Sequence, residues 1–495
     1  MMMRRILFLV ALAALPSAAS AQDLVRSDVA FPPEVYAERR ARMVRTLGGP
    51  VIVVGEYMIR HGGEKKQDPD FFYLTGVESP YAVAVFGPDG SGGEWDALFL
   101  PDSFQFAGAQ YSFPDPRLRH AAWNRTIRRL APGRGAEEAA GFDGTFPVNE
   151  MARRIPELVG DADTVYFVGM GGGAYAPPGL TPPVGHRPAL AASLEELLGR
   201  PLREARPIVR RMRLVKDSLE VGALRRAAAI SADGLREVLR RIRPGMNDLE
   251  AAGIMEWVWK REGSPRASFG PIVASGPDAV SLYTLRSENY NAVDRVMQDG
   301  DLVFIDYGAA EWAMYTSDLC RTYPVSGRFT PEQRRLYETV LEAQEAALAR
   351  IRPGVMMADV IRAAAQVFKD HGLQHYEDID ALGAERVWGL MPSPTYWVDG
   401  PGEPTPYSGA RGRGVRDLGH HIGLDALDSR DYSIPLEPGM VFTVEPKLYA
   451  PDLGIAIMIE DMILVTEHGY ENLSAGAPRT VEEIEAAMAE GRAGS

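Results

Sequence analysis

The chain has 495 residues, a single cysteine and a formal charge of −14 at neutral pH. That length is more than one hydrophobic core usually supports, so two or three domains are expected. With Cys320 alone no intrachain disulfide can form, and an acidic balance with no basic run argues against a nucleic-acid partner.

The chain opens with Met1-Met2-Met3-Arg4-Arg5, followed by an apolar run from Ile6 to Leu15, then Pro16 and the small residues Ala19-Ser20-Ala21. This is the layout of a secretory signal, residues 1–21, with cleavage after Ala21. The apolar core is about half of the roughly 20 residues that a membrane span requires. The expectation is a secreted or periplasmic protein with no membrane contact after cleavage.

From Val51 to Pro101 the runs VIVVGEY, YAVAVFG and ALFLP alternate with turn residues and helical patterns, which reads as an α/β domain over residues 22–205. The strand pattern TVYFVG leads into Gly171-Gly172-Gly173, yet Ala176-Pro177-Pro178 follows where a phosphate-binding helix should begin, so a plain glycine loop is favoured. A second domain, residues 206–495, begins near the helical pattern Leu219, Leu224, Ala228, Ile230 and Leu235. Helices are expected over 248–262, 331–351 and 358–371, with strands near Pro271, Leu302, Met440 and Ile455. The stretch from Glu377 to Arg416 is too long for an ordinary connection, which favours a lid or specificity insertion over disorder.

Asp306 ends the apolar run DLVFID, and Asp318 lies early in the next, so the two read as carboxylates facing each other across an antiparallel hairpin. Glu445 lies in GMVFTVEPKLY and Glu460 in GIAIMIEDMILV, each a charge inside a stretch patterned as a buried strand. A lone buried carboxylate costs several kcal/mol, and four together repel unless cations lie between them. His420 in DLGHHIGLD adds a nitrogen donor, and the oxygen-rich set suits manganese, with zinc or cobalt as alternatives. His421, the next residue along a strand, is expected to face away from His420. Cys320 reads as a packed core residue.

These segments, with MRLVKDSLE, PIVASGPDA and QDPDFFYLTGVESPYAVAVFGPDG, resemble the pita-bread metallopeptidases, and within them aminopeptidase P and prolidase. The resemblance implies an α/β N-terminal domain followed by an α+β pita-bread domain with a mainly antiparallel curved sheet. It also implies two divalent ions, Asp306 binding one, His420 and Glu445 the other, and Asp318 and Glu460 bridging both. A water or hydroxide between the ions would attack, with Glu445 as base, and the substrates would be peptides with proline at the second position, cleaved by a homodimer.

The outer positions depart from the family pattern. Histidines are expected where this chain has Arg416, Leu427 and Leu282 beside Tyr283, and an arginine where it has Met458. Arg416 can hold an anionic group but cannot shuttle protons, and Tyr449 and Tyr283 are candidate donors. Asp306 and Asp318 are separated by one position more than in the family, which a turn or bulge near Glu311 to Met314 must absorb. Two alternatives therefore stand beside an Xaa-Pro peptidase: a metal-retaining protein that binds peptides without turnover, and a hydrolase of another amide or C–N bond.

Overall fold

The computed structural model describes residues 31–493 apart from 59–65, 80–81, 102–129, 131, 171–185, 281–293, 376–386, 390–417 and 429–431. The signal segment, the glycine loop at 171–173, Leu282, Tyr283 and Arg416 lie outside the described residues. Among the described residues, no helix is long and apolar enough to cross a membrane.

The first part of the chain builds a mixed six-stranded sheet in the order 144–147, 94–100, 83–88, 51–54, 165–168, 202–204. Strand alternation divides its apolar residues between two cores. Ile52, Val54, Val83, Val85, Ala97 and Phe99 face one core, while Val51, Val53, Ala84, Phe86, Leu98 and Leu100 face another that continues into the second part of the chain. The helix Arg206–Leu214 follows the last strand of this sheet directly.

The second part is α+β. Among the described residues, all but one of its strand pairings are antiparallel, the exception joining Gln374–His375 to Val387–Gly389. Part of the expected insertion is thus built into a sheet, because Val387–Gly389 also pairs with Lys447–Tyr449. Helix starts follow local chemistry. Asp217, Asn247 and Thr330 each cap a helix in a capping box, with Glu220, Glu250 and Gln333 reaching back from the third helical position. The helix expected over 248–262 spans Asp248–Glu262 and ends on left-handed Gly263, while that expected over 331–351 stops at Leu348.

The two parts are joined through a buried polar cluster. Arg39, on the helix Pro33–Leu47, donates to Asp217 at 2.9 Å, lies 3.2 Å from Glu220, and packs over the ring of Tyr73. Tyr315 donates to Glu220 Oε1 at 2.9 Å. Burial pushes the Glu220 carboxyl up to about 7 from 4.5. It outweighs Arg39 because that guanidinium is shared with Asp217. The folded protein therefore retains a proton that the unfolded chain releases, and this site's contribution to stability falls as pH rises from about 4.5 to 7. Thermal melts across that range should show the slope flattened in Glu220→Gln, an effect on the order of 2–3 kcal/mol. An unchanged slope would remove Glu220 as its source.

Candidate metal centre

Asp306 ends the buried strand Leu302–Asp306, which pairs with Cys320–Pro324 so that Asp306 lies opposite Cys320. The two aspartates therefore do not face each other directly, and Asp318 precedes its strand rather than lying early in it. Beyond the ladder, the Gly308 N–H donates to the Leu319 carbonyl at 2.9 Å, which keeps the two segments together as far as Asp318. Asp318 and Cys320, two residues apart, share a face in extended chain, and so the aspartates are diagonal neighbours.

The offset arises because the connection contains a hairpin of its own. Glu311–Trp312 pairs with Tyr315–Thr316 around Ala313 and Met314, both in the left-handed region at φ 51° and 71°. Two successive positive φ values are what a two-residue hairpin turn of this twist demands, and each costs a non-glycine residue on the order of 1 kcal/mol. Around the turn, Glu311 pairs with Lys66 at 3.0 Å and Arg266 at 2.9 Å, tying the hairpin to the first part of the chain.

Glu445 and Glu460 follow the strands Val441–Val444 and Ile455–Met458 and are both 1 % exposed. One buried side chain spans them: Gln344 Nε2, from the helix Pro331–Leu348, donates to the carbonyls of Val444 and Ile459 at 3.2 and 3.1 Å. His420 arrives on a segment held against 443–445, with Thr443 N–H donating to the His420 carbonyl and Glu445 N–H to that of Leu418. Gly419 is required there, because a Cβ would collide with the Thr443 carbonyl. Thr443 Oγ1 accepts from His420 N–H at 3.0 Å and donates to Glu445 Oε1 at 3.1 Å, linking two of the candidate ligands.

His420 Nε2 lies 3.4 Å from Asp318 Oδ2 and 3.6 Å from Glu445 Oε1. Donor atoms of Asp318, His420 and Glu460 all fall within 4.8 Å of one another. Burial pushes the Glu460 carboxyl well above its ordinary value, reinforced by the charges of Asp318, Glu445 and Asp306. Burial also raises Asp318, against the pull of His420. Glu460 Oε2 is buried with no hydrogen-bond partner among the described residues. Crowded, desolvated carboxylates with an unsatisfied oxygen and an imidazole form a donor set that fits divalent cations.

The remaining sequence expectations divide. The His421 ring packs between Tyr432 and Phe442, away from the cluster. Cys320 is fully buried, and burial with Asp306 and Glu460 nearby pushes its thiol well up, which leaves it unreactive. Tyr449 is buried on the strand Lys447–Ala450, leaving on the same side as Lys447. Leu427 is only partly buried. Met458 lies opposite Lys447 across the ladder. Lys447 and Gln344 were not singled out from the sequence. The alternation Glu445, Lys447, Tyr449 within a buried run was the available signal for the former.

An α/β domain leading into an antiparallel domain that gathers buried acids around an imidazole defines the pita-bread class of metallopeptidases. The model of metallopeptidase family M24 matches residues 222–467, and that of the aminopeptidase P N-terminal domain matches 36–166. The chain is 32 % identical over 448 residues to the Xaa-Pro aminopeptidase of Escherichia coli strain K12, covering 86 % of this chain and 90 % of the relative. It is 30 % identical over 478 residues to Xaa-Pro aminopeptidase 1 of Streptomyces coelicolor, covering 92 % and 86 %. A zinc-substituted E. coli aminopeptidase P in complex with product superposes with a TM-score of 0.71 at 29 % identity, covering 94 % of this chain and all of that one. The chain belongs to metallopeptidase family M24, and its N-terminal part is the domain found in aminopeptidase P. Membership implies divalent metal ions.

Proposed function

We propose that this protein is an exported aminopeptidase that removes the first residue from peptides with proline in second position, using two divalent ions, manganese first among them. The observation that carries the reading is the buried cluster of Asp318, His420, Glu445 and Glu460, with the charge of Asp306 bearing on it. The relatives named as Xaa-Pro aminopeptidases supply the substrate class. Export rests on the pattern Met1 to Ala21, the division at 205/206 on the end of the six-stranded sheet, and a homodimer on the family resemblance.

In this reading Asp306, Asp318, His420, Glu445 and Glu460 are the residues that would hold the ions. Bound there, the ions would polarise the scissile carbonyl and lower the pKa of the attacking water. Glu445 would serve as the proton acceptor, its carboxylate held in place by the Thr443 hydroxyl and the Lys447 ammonium. Thr443 also fixes the backbone beside His420, so base and imidazole keep their spacing. The scissile bond before proline is a tertiary amide with no N–H, which suits a site that acts on the carbonyl.

The test is release of the first residue from an Xaa-Pro tripeptide and an Xaa-Pro dipeptide by the mature protein supplied with manganese, zinc or cobalt. Cleavage of the longer peptide is expected. Absence of cleavage with every metal and both lengths would overturn the reading, and tight peptide binding in its place would favour a protein that has lost turnover.

A further inference from the structure

Lys447 is fully buried, and its ammonium lies 3.1 Å from Glu445 Oε2. Residues two apart on extended chain share a face, so Glu445 and Lys447 point to the same side. This lysine therefore does inside the cluster what a bound cation would do: it neutralises desolvated carboxylates. Four acids carry four negative charges, and two dications alone would balance them. With the ammonium in the same cluster, the second dication meets one net negative charge rather than two and leaves one positive charge in excess, and at Glu445 it competes for an oxygen already engaged.

We propose that Lys447 is an internal counter-ion that stabilises the metal-free centre through Glu445 and opposes loading of the ion that Glu445 helps to hold. The inference rests on the metal-centre reading given above. It assigns the lysine a role in setting how tightly and in what order ions bind, apart from any part in bond cleavage.

The test compares the full mature protein with Lys447→Met, which keeps the apolar stem, and Lys447→Arg, which keeps the charge. Each is titrated with manganese by calorimetry after chelation and melted with EDTA and with saturating manganese. In Lys447→Met the weaker ion should bind about tenfold tighter or more, since one unit charge a few ångströms from a dication is removed. Its melting temperature should be lower than the parent's in EDTA, and its gain on adding manganese larger. Lys447→Arg should follow the parent. A merely structural lysine would lower both melting temperatures equally and leave the titration unchanged, and that result overturns the proposal. So does a Lys447→Met protein that fails to fold even with manganese present. If the parent itself binds no divalent ion, the metal-centre reading falls with it, an outcome distinct from unchanged binding in the variant.

Discussion

Replacing Glu445 with alanine is expected to reduce kcat/KM for an Xaa-Pro peptide by about 10³- to 10⁴-fold, the upper part of the range for a positioned acid–base group. Three contacts single this carboxylate out. Oε1 accepts from Thr443 and lies 3.6 Å from His420 Nε2, and Oε2 pairs with Lys447. Alanine removes the base and a proposed ligand together, so metal content should also drop in the purified variant. Glu445→Gln keeps the side-chain shape while removing the charge, and should lose turnover to a similar extent while retaining the fold. Steady-state kinetics with metal analysis decide the matter, and a variant that keeps a tenth of the parental rate would show that the base lies elsewhere.

The largest expected loss of stability follows from Arg321→Met. Arg321 is completely buried and donates to Asp461 Oδ1 at 2.6 Å. It also donates to the carbonyls of Glu460, Cys320, Ala477 and Pro478. Methionine fills much of the same volume but leaves Asp461 charged, with the Ser474 hydroxyl still donating to it. Breaking one side of a buried ion pair costs about 3–5 kcal/mol, which in a domain of this size corresponds to roughly 10 °C in melting temperature. Arg321→Met combined with Asp461→Leu should recover part of the loss, because no unpaired charge then remains. Single and double variants melted side by side test this, and a single variant within about 1 kcal/mol of the parent would contradict it. The same guanidinium holds the Glu460 carbonyl, so loosened metal binding should accompany the lower melting temperature.

Much of this arrangement was legible before any coordinates. The Asp248–Glu262 helix is bounded by a capping box at one end and glycine at the other, both local signals. Glu445 and Glu460 stood out because a carboxylate inside an apolar strand demands a compensating charge. The partnering of Asp306 was not legible. Its register depends on how the Glu311–Thr316 hairpin bends, and Ala313 and Met314 in left-handed conformation give no glycine or asparagine signal. Gln344 and Arg321 were invisible for a different reason. Each acts on carbonyls 100 or more positions away, and no local pattern encodes such a contact.

Gln344 carries a consequence for how such a centre can change. One amide nitrogen answers the carbonyls ahead of both glutamates, so the gap between them is gauged by a helix that contributes no ligand. Residue changes elsewhere, such as at Leu427 or Met458, leave that gauge untouched. Tuning of reactivity and retention of the ions are thereby separable tasks, and the periphery can drift while the anchorage keeps its dimensions.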